Sequence, residues 1–234
     1  SSIERDITWP VASFPLTTIN RNKMSKLVWG VVSALSKVKC CGKQLKVLYG
    51  LADSASHTSS FFNKAIKETW FTENPYSDDN EPIFWIGDPP HMIKKLRNFL
   101  FSDKRNLKFD KKDIKPEHFA AVVNRAETKL AHKHLCLDKT TKMSVKRVAQ
   151  TLSSEIAIDM LRHEDINEVI STVKYIWHCS WYFDIFNSKT LKSTYLLDLI
   201  KVKLFFKKWH DEVEKRKVPG SKTETGKEFI SSQT

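Results

Sequence analysis

The sequence predicts two unlike halves, an α/β layer over residues 1–103 and an all-α domain over residues 104–234. Three observations carry this reading. Up to about residue 100, short runs of β-formers alternate with helix-spaced apolar residues, as when strands and helices are layered on one another. Beyond the charged linker SDKRNLKFDKKD only helical spacing recurs. Only six glycines occur in 234 residues, so few turns can rely on left-handed backbone, which favours helices joined by ordinary loops.

Taken in order, Val11 to Ile19 alternate loosely and read as a strand. Asn20 can cap a helix whose apolar positions are Met24, Leu27, Val28, Val31, Leu35 and Val38, with Gly42 ending it. Leu45 to Ala52 (LKVLYGLA) reads as a buried strand with Asp53 at its carboxyl end, and a short helix, Ser59 to Thr69, follows. The polar loop ENPYSDDNEP leads into a third strand, IFWIG. That strand runs into Asp88-Pro89-Pro90-His91, and Asp followed by Pro is good helix-start chemistry. The helix it opens has Met92, Ile93, Leu96, Phe99 and Leu100 on one side. In the second half, four helical stripes follow. They are Phe119 to Leu130, Val145 to Met160, Val169 to Trp177 and Leu196 to Trp209, and the tail VPGSKTETG reads as loop.

A hydrophobic content of 41%, with seven Trp and fourteen Phe, excludes disorder over most of the length. The net charge of +12 is uneven: residues 1–103 carry 13 Lys/Arg against 10 Asp/Glu, and residues 104–234 carry 26 against 17. Such a surplus points to a polyanionic partner, nucleic acid or nucleotide phosphate, over a merely solvated face. The four cysteines form no C-x-x-C pair, which argues against zinc and for reduced thiols in an intracellular protein. Apolar runs fall short of a membrane span. With Ser first and Thr234 following a helix-like stretch without a closing signal, the chain reads as a piece of a longer protein.

Four ordered motifs are specific where each alone is weak. YGLADSAS is a strand ending in Asp53 and small residues. The D-x-x-H-x-x-K-x-x-R-N helix supplies Asp88, His91, Lys94, Arg97 and Asn98. K-L-x-x-x-H, then K-M-x-V and A-x-x-x-S, supplies Lys129, Leu130, His134, Lys142, Met143, Val145, Ala149 and Ser153. F-D-x-x-N-S supplies Phe183, Asp184, Asn187 and Ser188. In this order and spacing the chain resembles the P-element and THAP-type DNA transposases over nearly its whole length. The resemblance implies part of an RNase H-like catalytic domain (1–103) followed by a helical GTP-binding insertion domain (104–234). It also implies Mg²⁺-dependent cleavage and joining of transposon ends and target DNA, homo-oligomers on DNA, and a nuclear location.

By that resemblance Asp53 is the second of the family's Asp-Asp-Glu metal ligands, holding Mg²⁺ for in-line attack on a phosphodiester. On its own chemistry an acid there could equally cap a turn. The other two acids are expected outside residues 1–234, so this chain alone should not cut DNA. Asp88 is explained by capping. His91, Lys94 and Arg97 either contact DNA phosphates or support the active site, or else form an ordinary exposed basic face. No G-x-x-x-x-G-K-[ST] occurs, which excludes a P-loop. The family instead implies a GTP site at Lys129, Val145, Ser153, Phe183, Asp184 and Asn187. Lys129 is a point charge for phosphate, Phe183 a stacking face for the purine, Asp184 an acceptor, and Asn187 both donor and acceptor. Where the family has a second pocket lysine just before Val145, this chain has Ser144, and helix geometry sets Lys142 and Lys146 on other faces. The competing expectation is a domesticated relative that keeps DNA or partner contacts without catalysis.

Overall fold

The computed structural model describes residues 13, 20–40, 42–52, 71–77, 79–123, 125, 128–190, 192–216 and 227–230. The expected Val11–Ile19 strand (apart from Ser13), the Ser59–Thr69 helix, Asp53 and the VPGSKTETG tail lie outside the described residues. The chain divides into two compact units, residues 1–88 and 89–234.

In the first unit, helix α1 (Arg21–Ser36) starts where Asn20 accepts a hydrogen bond from the Lys23 backbone N–H at 3.0 Å. It ends at Ser36, before Gly42. That glycine, at φ +77°, instead turns the β1 (Lys39–Cys40)–β2 (Lys43–Gln44) ribbon, a conformation that costs glycine nothing. Strands β3 (Tyr49–Ala52), β4 (Phe71–Glu73) and β5 (Pro82–Gly87) form one sheet in the order β3-β5-β4, with β3 parallel and β4 antiparallel to β5. Ile83 and Trp85 on one face of β5 pack with Val32, Met24, Val28 and Trp29 of α1. Gly50 pairs with Trp85, and a Cβ there would come within 2.3 Å of the indole, so only glycine admits the ring. On the other face Tyr49, Leu51, Phe71 and Phe84 are exposed, so β3 is not the buried strand its apolar run suggested. Period-2 alternation, with one face against α1, accounts for the difference. Ala52 pairs with Gly87, and the Asp88 backbone N–H donates to the Ala52 carbonyl at 2.8 Å. The mixed α/β layer is therefore as expected.

The second unit begins with α2 (Pro89–Leu100), whose Ile93, Leu96 and Leu100 enter this unit's core. The boundary thus lies at Asp88/Pro89 rather than near Lys104, because the helix's apolar side is buried with the residues that follow it. The charged stretch read as a linker is a hairpin, β6 (Lys108–Phe109) and β7 (Lys112–Asp113), with Leu107, Phe109 and Ile114 buried. Asp110 and Lys111, both at positive φ, turn it, and its charges point outward around three core anchors. In place of the expected helix over Phe119–Leu130 the structure has a 3₁₀ turn, Pro116–Phe119, and non-helical backbone at the described residues 120–123, 125 and 128–130. Short helices α3 (His132–Leu135), α4 (Lys139–Met143), α5 (Val145–Thr151) and α6 (Ser154–His163) follow. The single Val145–Met160 stripe is split in two at Leu152 and Ser153, where ψ leaves the helical range. Long helices α7 (Ile166–Asn187) and α8 (Tyr195–Arg216) complete the unit.

Two sets of contacts hold these helices. Trp209 on α8 donates from Nε1 to the Lys108 carbonyl at 2.6 Å, and Ser171 on α7 donates to the Phe109 carbonyl at 3.0 Å, so both long helices grip the hairpin. Arg97 on α2 is fully buried and donates from Nη2 to the carbonyls of His134 and, at 3.0 Å, Cys136. Arg97 is thus no part of an exposed basic face. Burial pulls its pKa below the ordinary arginine value, and the Asp138 charge works the other way.

Removing the guanidinium would leave the buried His134 carbonyl without this donor, while the Cys136 carbonyl keeps Thr141 Oγ1, so Arg97→Met should lower the unfolding free energy by about 2 kcal/mol in urea titrations. Arg97→Lys should recover less than half of that, because one ammonium cannot reproduce the fork. His118, bonded through Nδ1 to Thr172 Oγ1 at 2.7 Å, and His178, stacked on Phe205 at 4.0 Å, are both held below the ordinary histidine pKa of 6.5 by burial. The unfolded chain then binds protons that the folded one resists. Stability should fall as pH drops below about 6.5, and the double variant His118→Gln/His178→Gln should flatten that slope by up to about two protons.

Candidate functional site

The six expected nucleotide residues come from four separate places in the chain, and all six line one cavity of about 550 Å³ within the second unit. Lys129 reaches it from the irregular segment before α3, and Val145 from the first turn of α5. Ser153 stands at the break between α5 and α6, at φ −87° and ψ 152°, as the residue that precedes α6. Phe183, Asp184 and Asn187 project from the last turn and a half of α7, where i, i+1 and i+4 spacing sets them side by side. Ile93 of α2, fully buried, forms part of the apolar lining with Leu152 and Ile156.

The break between α5 and α6 is what opens the space. A continuous helix over 145–160 would keep Ser153 in a helical turn, with its backbone N–H bonded four residues back. Instead α6 starts afresh, and the Ser154 N–H donates to Ser180 Oγ on α7 at 3.2 Å. Ser180 in turn donates to Asp184 Oδ2 at 3.1 Å, which orients the carboxylate and engages one of its two oxygens. Phe183 is half-buried, packed against the core, while Asp184 and Asn187 are exposed.

The lining is mixed in charge. Lys129 and Lys146 stand against Glu155 and Asp184. The chemistry on offer is a cationic edge for an anionic group, an aromatic face, and a carboxylate and amide at one helix end. A cavity of this volume falls within the range of small-molecule sites.

Sequence reasoning set Lys146 on another face of the helix, but the structure brings it to the cavity. The lining takes a broad arc of α5, Val145, Lys146, Ala149 and Gln150, rather than a single stripe. Lys142 does not line it. Ser144 is used locally, its Oγ accepting from the Arg147 N–H at 3.4 Å as the cap of α5. Gln150, Ser154, Glu155 and Ser180 were not singled out from the sequence. Their signal was faint, because each reads as an ordinary polar helix residue until the break at Ser153 is known.

Asp53 lies outside the described residues, one position beyond Ala52 in the parallel β3–β5 pair. Among the described residues no group of three or more His, Cys, Asp or Glu side chains could hold a metal ion. Also among them, no helix is long and apolar enough to cross a membrane.

Residues 90–197 match a family model described as the TNP-like, GTP-binding insertion domain. The P element transposase of Drosophila melanogaster is 29% identical over 133 residues, covering 52% of this chain and 17% of its own length. In fold, the chain matches the Drosophila P element transposase strand transfer complex with a TM-score of 0.64 at 18% identity, over 93% of this chain and 51% of that one. The chain therefore spans about half of the solved chain it matches.

Proposed function

We propose, from the premise that this chain is related in sequence and fold to the P-element-type transposases, that its second unit binds GTP in the cavity between α5, α6 and the end of α7. The observation that carries this reading is the meeting of Lys129, Val145, Ser153, Phe183, Asp184 and Asn187 on one cavity, although they are scattered from residue 129 to residue 187. The lining fits the ligand. Phe183 provides the face for a purine, Asp184 accepts from the guanine N–H groups with the oxygen that Ser180 leaves free, and Asn187 completes the base edge. Lys129, with Lys146 in the role that Ser144 cannot fill, meets the phosphates.

In the whole protein this unit serves a DNA transposase. The first unit is part of an RNase H-like catalytic domain in which Asp53 is a Mg²⁺ ligand, and transposon ends and target DNA are the substrates. The ion would supply activation of the attacking oxygen and stabilisation of the leaving one. A nuclear location and homo-oligomers on DNA belong to the same reading. The net charge of +12 is what a phosphate-rich partner requires. A second reading is a relative that has lost catalysis and kept binding, and the observation in its favour is Ser144, whose side chain caps a helix where the family's lysine would enter the pocket.

Calorimetric titration should give saturable GTP binding to this chain, weakened about tenfold or more by Phe183→Ala, where the stacking face is lost. Asp184→Asn should narrow the preference for GTP over ATP, because the acceptor for guanine N–H groups is halved. Equal binding of both nucleotides by the unaltered chain would count against the site. In the full-length protein, Mg²⁺-dependent nicking of transposon-end DNA should disappear with Asp53→Ala. Absence of nicking by the unaltered protein would favour the non-catalytic reading.

A further inference from the structure

Gln150 lines the cavity and is bonded behind it to a buried histidine whose protonation pattern can be read from its neighbours. His134 Nδ1 lies 2.9 Å from the Ala131 backbone N–H and 3.1 Å from the Ala131 carbonyl; the shorter contact is to a group that can only donate, and on that contact Nδ1 accepts. In a neutral ring the proton is then on Nε2. Nε2 lies 3.2 Å from Gln150 Oε1, so the imidazole donates and the amide oxygen accepts. With its oxygen engaged by His134, the amide's remaining group is the NH₂, which has only donors to offer.

Position along α5 says what those donors meet. Gln150 lies four residues after Lys146, so the two share a face of the helix and both line the cavity. Phe183, Asp184 and Asn187, on α7, form the other side. The α5 side is thus the cationic side, suited to an anion.

We propose that Gln150 is a ligand-binding residue that donates from its NH₂ to a phosphate oxygen of the bound nucleotide, and that His134 is the positioning residue that turns it. The proposal rests on the nucleotide reading of the cavity. It also explains what the histidine of the K-L-x-x-x-H motif is for. His134 is nearly fully buried, with its carbonyl held by Arg97 and its ring by Ala131, so the amide is oriented before any ligand arrives.

Binding of GTP and of guanosine to the intact chain, measured by calorimetry and by competition at fixed salt, tests this. Gln150→Met removes the donors without adding charge. It should weaken GTP about fivefold to tenfold while leaving guanosine within about twofold. His134→Asn retains an acceptor for the Ala131 N–H and drops the bond to Gln150. It should weaken GTP by a similar factor in the unaltered background and add nothing in the Gln150→Met background. Thermal unfolding of each variant monitors the fold. If Gln150→Met binds GTP like the parent, or loses GTP and guanosine equally, the phosphate-donor role falls while the nucleotide site stands. If the unaltered chain binds no GTP, the site itself falls and Gln150 with it. If the two substitutions act additively, His134 does not work through Gln150.

Discussion

The second unit depends on one buried guanidinium. Arg97 sits on α2 with no exposed surface, and its Nη2 holds the carbonyls of His134 and Cys136 across 37 and 39 residues of chain. A charge taken this far out of water is tolerable only with charge-assisted bonds to carbonyls and a face to lie on, here the Phe101 ring at 5.3 Å. What the bonds secure is the irregular segment that ends in α3 and α4, where short helices of four and five residues could not persist alone. Asp138 caps α4 by accepting from the Thr141 N–H at 2.6 Å, and Thr141 Oγ1 donates to the Cys136 carbonyl at 2.5 Å. Through His134 the same pinned segment reaches Gln150 and so the wall of the cavity.

Around that pin the packing is aromatic. Phe109 of the β6–β7 hairpin lies 4.8 Å from Phe205 and 6.3 Å from Trp209, and Tyr175 meets Trp209 edge-on at 5.7 Å. Tyr175 also donates to the Leu96 carbonyl at 2.8 Å, which ties α7 to α2 beside the arginine. Residues 227–230 bond to the hairpin and the residues before it, with the Lys108 N–H donating to the Glu228 carbonyl at 3.0 Å and the Arg105 guanidinium donating from Nη1 to the Phe229 carbonyl at 3.1 Å. The polar tips of Trp209 and Tyr175 thus end on carbonyls, and burial of these two rings is not offset by an unmet donor. The cavity lies where the break between α5 and α6 interrupts this packing.

Much of this was legible in the chain. Asn20 capped the helix it was expected to cap, IFWIG formed a strand, the long apolar stripes formed α7 and α8, and the motif residues from Lys129 to Asn187 met on one cavity. The misreadings share a cause. SDKRNLKFDKKD looked like a linker because its charges outnumber the anchors Leu107 and Phe109, yet those two side chains are what the core holds. Arg97 looked like a surface cation because arginine usually is one, and nothing local announces a buried carbonyl 37 residues away. Lys146 looked misdirected because one helical stripe was assumed where the cavity takes a broad arc.

By itself, then, the sequence determined the class of each long element and the basic character, and its motif order named residues that the structure gathers on one cavity. These follow from periodicity, composition and motif order, all of which are local or additive. Only the tertiary structure decided that α2 packs within the second unit, that α5 and α6 part at Ser153, and that Gln150 joins the cavity with its amide oxygen turned toward His134. Those outcomes depend on which buried donor finds which carbonyl across many residues of chain. Such pairings are settled by the cost of leaving a polar group unmet in the core, which no short window of sequence records.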